Sequence, residues 1–368
     1  MANLIPGTDA DDITHGTLAA DEIRGGLGND QLWGEDGADL IWGEDGDDVI
    51  NGGTGDDFIQ GGIGNDRLFG ASGKDTIEGG AGQDELYGFD GDDILRGMDG
   101  SDALSGQNGN DVLIGGNGHD YMRGGEDNDV LAGAIGLDKL YGDGGDDRLL
   151  AGDHDDVARG GSGNDYIDGG NGNDVIFGGN NSSELDGDDL GTGGNGDDIV
   201  HGDGGNDRFF GAVGNDQLFG DDGNDQMYGG LGDDTVEGGA GNDTVDGKTG
   251  NDILIGGTGN DRLTGGTGDD ILQGGDGDDL IFGQWGNDTM TGGTGADTFT
   301  ILRVAGERDV INDFQAGADH IALRGGATVT DVIASATVVN GSTILDLGQN
   351  HLVTLVGQTG VNAGWFGN

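Results

Sequence analysis

The run GGLGNDQLW (25–33), GEDGADLIW (34–42), GEDGDDVIN (43–51) and GGTGDDFIQ (52–60) decides the fold. Read outward, this nine-residue period holds without a slip from Gly25 to Phe177, which is 17 units. It resumes at Gly193 and runs to Thr300, a further 12 units. Over these 29 units, position 1 is Gly in 28, with Ala151 the exception, and position 4 is Gly in 27, with Asp127 and His154 the exceptions. Position 5 is Asn or Asp in 22, position 6 is Asp in all 29, and position 8 is always apolar, with Ala158 the smallest. Glycine, Asn and Asp tolerate the left-handed backbone that turns require. The sequence therefore predicts a turn over positions 1 to 6 and a three-residue strand over positions 7 to 9, with position 8 facing inward. Such a strand buries nothing alone, but stacked units form a continuous apolar column. Two units make a coil of 18 residues, giving an all-β parallel solenoid. At about 4.8 Å per coil, the 29 units form a rod roughly 70 Å long.

Composition narrows the chemistry. Of 368 residues 89 are Gly and one is Pro, and no collagen period appears. Asp and Glu number 72 against 14 Lys and Arg, for a formal charge of −58. That charge excludes binding to nucleic acid or an anionic membrane through a basic surface. No stretch approaches the roughly 20 apolar residues of a membrane helix. There is no cysteine, hence no disulfide framework. The segment Met1–Gly16 lacks the basic and apolar regions of a Sec signal. So many acids beside so little apolar surface ordinarily mean disorder. Something must neutralise the carboxylates before the chain compacts.

The unit GGxGxDxUx resembles the repeat of RTX (repeats-in-toxin) proteins, and Gly256–Thr264 (GGTGNDRLT) matches every defined position. The stretches Gly295–Phe299, Arg308–Phe314 and Gly317–Ile321 are similar to the block that follows such repeats in secreted proteases and lipases. The resemblance covers about nine-tenths of the chain and implies a parallel β-roll, a right-handed β-solenoid with two nonapeptides per coil, that binds Ca²⁺ between turns of adjacent coils. Each ion would take main-chain carbonyls from positions 1 to 4 and the position-6 carboxylates of a turn and the turn two units on, Asp30 with Asp48 for example. The metal residues so implied are Asp30, Asp39, Asp48, Asp57, Asp66, Asp75, Asp84, Asp93, Asp102, Asp111, Asp120, Asp129, Asp138, Asp147, Asp156, Asp165 and Asp174. In the second block they are Asp198, Asp207, Asp216, Asp225, Asp234, Asp243, Asp252, Asp261, Asp270, Asp279, Asp288 and Asp297. Oxygen-only shells suit calcium. They suit zinc poorly, with no thiols and six scattered His.

Charge supports this reading. Pairing unit i with unit i+2 gives 15 sites in the block of 17 and 10 in the block of 12, and these 25 ions bring +50 against −58. Without them, carboxylates about 4.8 Å apart repel by roughly 0.9 kcal/mol per neighbour even at the dielectric constant of water. Folding is expected to depend on metal binding.

The expected organisation is 1–24 as degenerate N-terminal repeats, 25–177 as the first block, 178–192 as an insertion, 193–300 as the second block, and 301–368 as a C-terminal β cap, in which the resemblance implies a type I secretion signal. In the first of these, Pro6–Thr14 would place Asp11 at position 6 and Ile13 at position 8, and His15–Arg24 would carry one residue too many. The insertion, with Asp186, Asp188 and Asp189, reads as a six-residue expansion of one turn or as an extra calcium loop. Asp127 and His154 read as tolerated turn substitutions, with an added ligand and a transition-metal site as their alternatives. The runs Thr343–Leu347 and Leu352–Val356 read as strands. Aromatics at position 9 (Trp33, Phe69, Tyr87, Tyr141, Phe177) share one side, with Trp42 opposite; Phe210, Tyr228 and Phe282 share a side in the second block. They either cover the turns or offer a partner surface.

The chain carries no His-Glu-x-x-His motif and no Gly-x-Ser-x-Gly elbow, and Gly-rich strings occur only within the repeat, so the expectation is a protein that is not an enzyme. Two classes remain. One is an extracellular surface-layer, matrix or filament subunit that self-associates as a filament or sheet after type I secretion. The other is an adhesin or ligand-binding module, or the secretion module of a lost enzyme. Ice binding would need an unbroken outward Thr ladder, and Asp276 and Trp285 interrupt it.

Overall fold

The computed structural model describes residues 3–179 and 187–367. They form two compact units, one of residues 3–179 and 187–191 and one of residues 192–367. Each is a stack of short parallel strands, and the expected all-β parallel β-roll is borne out.

Within the nonapeptide repeats of each unit a strand pairs in parallel with the strand two further along. Trp33 lies opposite Asn51, and Asn51 opposite Phe69. Tyr228 likewise lies opposite Asp246, and Asp246 opposite Thr264. The offset is 18 residues each time, so two nonapeptides close one coil and alternate strands build two facing sheets. The position-8 side chains fill the space between: all 29, from Leu32 to Phe299, are buried.

The strands are longer than the pattern suggested. Leu40–Asp45 and Ile253–Thr258 each span positions 7 to 9 and then 1 to 3 of the next unit. Only positions 4 to 6 turn. Position 1 is a second inward position, and its glycine reflects close approach. A methyl on Gly43 would stand 2.1 Å from Asp48 Oδ2 and 2.6 Å from the Gly61 carbonyl oxygen. Position 4 needs the left-handed region instead: Gly64 has φ 140°, and Asp127 and His154 hold φ 75° and 89° at the same place. The His154 ring lies against its own chain, with Nδ1 2.6 Å from the Asp153 carbonyl. Both are accommodated turn substitutions.

Position 5 carries a hydrogen-bond ladder. The side-chain oxygen of one turn accepts the position-5 N–H of the turn two units on, as Asn29 does from Asp47 and Asn224 from Asn242. This is why Asn and Asp prevail there. Ser101 serves His119 through its hydroxyl, and His119 serves Leu137 through Nδ1.

The N-terminal register differs from expectation. Nonapeptides begin at Gly7 and Gly16 and run into Gly25 without a slip, so Asp12 and Asp21, not Asp11, occupy position 6. Asp12 N–H bonds Asp30, Asp21 N–H bonds Asp39, Thr14 pairs with Leu32, and Ile13 points to solvent. Asp11 stands at position 5 and accepts from Asn29 N–H. The reason is steric: Gly7 and Gly16 lie where a methyl would be 1.8 and 2.2 Å from the carbonyl oxygens of Gly25 and Gly34.

Asp186 and its neighbours 180–185 lie outside the described residues. On their far side Gly187, Asp188, Asp189 and Leu190 re-enter the first unit in register. Asp188 N–H bonds Asn164 Oδ1 at 2.9 Å, Asp165 N–H bonds Asp189 Oδ1 at 2.7 Å, and Leu190 N–H bonds the Asp165 carbonyl at 2.9 Å. Residues 178–179 and 187–192 therefore hold positions 1 and 2 and positions 4 to 9 of one nonapeptide.

The second unit ends in a cap. Thr298–Leu302 pairs with His320–Arg324, and Thr289–Thr294 with Arg308–Ile311. His351–Leu355 adds in parallel to the latter, followed by antiparallel Ser342–Gly348 and Thr337–Val339. Phe299, Phe314 and Trp365 pack ring to ring over the end of the apolar column. A helix at Val329–Ser335, with Thr328 as its N-cap, was not expected.

Candidate metal sites

Every position-6 aspartate from Asp30 to Asp297 is buried, with at most 3% of its surface exposed. Its two carboxylate oxygens have separate fates. Oδ1 accepts the N–H of the position-6 residue one coil earlier: Asp48 from Asp30 at 2.7 Å, Asp66 from Asp48 at 2.8 Å, Asp261 from Asp243 at 2.8 Å. One ladder in the first unit runs from Asp12 to Asp174 and the other from Asp21 to Asp189. In the second unit they run from Asp198 to Asp309 and from Asp207 to Asp319. Turn chemistry alone would accept Asn here, so the ladder does not by itself explain an invariant Asp.

Oδ2 explains it. In every position-6 turn from Asp30 to Asp156, and at Asp216, Asp234, Asp243, Asp252, Asp261, Asp270, Asp279 and Asp297, this oxygen is buried and accepts no hydrogen bond from the protein. It faces the position-1 glycine of its own turn and the position-1 carbonyl two units on, as Asp270 faces Gly265 and the Gly283 carbonyl. Carbonyls at position 4 point along the stack toward the turn one coil on: the Gly46 oxygen would meet a methyl on Gly64 at 2.0 Å. A buried carboxylate with a free oxygen, enclosed by backbone carbonyls, is a donor set for a hard cation. Burial, reinforced by neighbouring carboxylates, pushes Asp57 and Asp66 up to about 7 and Asp129 and Asp270 to about 8. The ionised form needs a positive partner that the protein itself does not provide.

The ends of the ladders differ. Asp12 Oδ2 accepts from Thr8 N–H at 2.6 Å, Asp21 Oδ2 from Thr17 N–H at 2.6 Å, and Asp319 Oδ2 from Gln315 N–H at 2.6 Å. Asp309 Oδ2 lies 3.0 Å from Nε2 of the buried His351, whose Nδ1 accepts from Val304 N–H. Each of these four carboxylates is thus satisfied from within. At Asp21 burial opposes ionisation, but the hydrogen bonds from Asn3 and Thr17 prevail and hold its carboxyl below the usual range. The protein marks where the series of cation cradles starts and stops.

The 29 aspartates read from the sequence all occupy equivalent turns. Asp189, which the sequence offered as part of an expanded turn or an extra calcium loop, adds a thirtieth, and Asp12, Asp21, Asp309 and Asp319 are the capped ends; sequence reading missed these four. The signal for Asp189 was Gly187-Asp188-Asp189 itself, a position-4-to-6 triplet. Among the described residues no three His, Cys, Asp or Glu side chains converge on a point, so a cation held in such a cradle would draw chiefly on main-chain oxygens. The position-9 aromatics stack along the sheets, Phe69 on Tyr87 at 5.3 Å and Phe210 on Tyr228 at 4.9 Å.

A family profile described as the RTX calcium-binding nonapeptide repeat (4 copies) matches the chain in overlapping copies that together span residues 6–183 and 185–299. No curated protein sequence matches. Among solved structures, the chain is similar to the extracellular lipase LipA from Serratia marcescens, at 20% identity and a TM-score of 0.18, over 70% of this chain. The chain spans 39% of the length of that lipase.

Proposed function

The chain belongs to the RTX calcium-binding nonapeptide-repeat family, and we propose that it is a secreted structural protein that folds on calcium outside the cell and self-associates as a surface-layer, matrix or filament subunit. The observation that carries this reading is the series of buried, partnerless Oδ2 atoms, together with four carboxylates, Asp12, Asp21, Asp309 and Asp319, that the protein satisfies itself. The position-6 aspartates Asp30 to Asp297 hold the ions, 25 or more, with Asp189 joining them. When bound, calcium supplies the positive charge that lets neighbouring turns stack. The chain's own residues position the carboxylates, keep side chains out of the cradles and close the ends. The metal-free chain leaves by type I export, using its C-terminal segment, and compacts where calcium is abundant. No helix among the described residues is long and apolar enough to cross a membrane.

A second reading, an adhesin or ligand-binding module, is favoured by one feature of the first unit. An open groove of about 720 Å³ runs beside Ile63, Met98 and Ile135, with Arg96 on its wall. Light scattering with negative-stain imaging separates the two. Calcium-dependent ordered polymers support the structural reading, and calcium-loaded protein that stays monomeric at high concentration replaces it with the binding reading.

A further inference from the structure

The departures from the repeat are not scattered. Four exceptions occur at positions 1, 4 and 8: Asp127, Ala151, His154 and Ala158. Three of the four fall in the single nonapeptide 151–159.

Position 1 matters most for the metal. In the turns on either side of this one in sequence, a methyl on Gly142 would lie 2.2 Å from Asp147 Oδ2, and one on Gly160 would lie 2.2 Å from Asp165 Oδ2. One coil earlier, a methyl on Gly133 would meet Asp138 Oδ2 at 2.5 Å and the Ala151 carbonyl oxygen at 2.4 Å. The hydrogen of glycine leaves that oxygen-lined space open. At Ala151 a real methyl occupies it, and Ala151 is fully buried, so the methyl has no exit to solvent. Two further weaknesses coincide. His154 takes the left-handed position-4 conformation with a side chain, and Ala158 leaves the core column short of the Leu or Ile found beside it at Leu140 and Ile176.

The hydrogen-bond ladder nonetheless passes through. Asp138 N–H bonds Asp156 Oδ1 at 2.7 Å, and Asp156 N–H bonds Asp174 Oδ1 at 2.8 Å. The backbone architecture is kept while the cradle above this turn is filled by carbon.

We propose that the turn Ala151–Asp156 takes no calcium, and that this metal-free step is a built-in weak joint in the first unit. The inference rests on the calcium reading of the other turns. In a stack whose stability is a sum over neighbours, a step without its ion is where the stack opens first as calcium falls.

Counting ions on the intact, calcium-loaded full chain by native mass spectrometry tests this. Asp147→Asn and Asp156→Asn both keep an Oδ1 acceptor for the ladder and remove the charge. Asp147→Asn, which borders two open cradles, is expected to lose more ions relative to the unsubstituted protein than Asp156→Asn, which borders only one. Ala151→Gly, which restores the repeat and so carries no folding risk, is expected to carry one ion more. An Asp156→Asn protein that loses as many ions as Asp147→Asn does, or an Ala151→Gly protein that gains none, overturns the inference while leaving the calcium reading intact. An unsubstituted protein that takes up no calcium overturns both.

Discussion

Replacing Asp243 in two ways separates the hydrogen-bond role of the invariant aspartate from its metal role. Asp243 Oδ1 accepts Asp225 N–H at 2.8 Å, and Oδ2 is buried without a partner in the protein. Asp243→Ala removes both functions, whereas Asp243→Asn keeps the Oδ1 acceptor and loses only the charge. A hydrogen bond to a charged group contributes about 1.5–3 kcal/mol. Extracellular calcium modules bind with Kd of about 10⁻⁴–10⁻³ M. With calcium about ten to a hundred times above Kd, one site then contributes about 1.4–2.7 kcal/mol by mass action. Asp243 borders two such sites, so Asn should cost up to about 3–5 kcal/mol, and Ala, with the lost hydrogen bond added, up to about 4–8 kcal/mol. A repeat array need not unfold as one unit, so a single melting temperature is the wrong readout. Amide hydrogen exchange in calcium is the right one. Protection should fall around Gln226–Leu231, Thr244–Thr249 and Arg262–Thr267, the strands that stack with this turn, and persist in remote coils. The reasoning is refuted if Asp243→Asn matches the unsubstituted protein at every calcium concentration, because the charge would then have no partner to lose.

Other expectations follow from the same geometry. In chelator, carboxyls such as Asp57 and Asp66 have folded-state values near 7 against an ordinary 3.8. The metal-free roll therefore binds more protons than the unfolded chain, and its stability falls as pH rises from about 4 through about 7. Circular dichroism in EDTA should show more β-structure at about pH 5 than at about pH 8, and calcium should reverse that order by requiring the ionised form. Asp313 accepts the N–H groups of Gly292 and Gly293 at 2.9 and 2.8 Å; Asp313→Ala should fray the last coil by about 3–6 kcal/mol, read as lost exchange protection over Thr289–Thr294. Asn242→Ala removes only the exposed side-chain acceptor for Asn260 N–H and the side-chain donor to Asn224, and keeps its own N–H bond to Asn224. It should cost about 0.5–1.5 kcal/mol and leave the number of bound ions unchanged.

The architecture was legible because one constraint is repeated in every coil. An inward residue at position 8 and a carboxylate at position 6 must recur wherever turns stack, and no other arrangement keeps both for 29 units. What was misread lay where a single residue type serves two purposes. Glycine at positions 1 to 3 looked like turn, but Gly43 is buried in a strand and is small because Asp48 and the Gly61 carbonyl crowd it. The first two nonapeptides lacked their position-4 glycine landmarks, since Ala10 and Ala19 stand there, and the register was set one residue early. Asp309 and Asp319 join the ladders at offsets of 21 and 22 residues, not 18, so periodicity could not reach them. The His351 contact with Asp309 spans 42 residues and has no local signature.

The central claim is that calcium, not the chain alone, makes the roll compact at neutral pH. Circular dichroism of the full chain, first in EDTA and then titrated with calcium, tests it most directly. The account predicts a largely unfolded spectrum in chelator and a cooperative gain of β-structure as the ion is added. The same β-rich spectrum with and without calcium would contradict it.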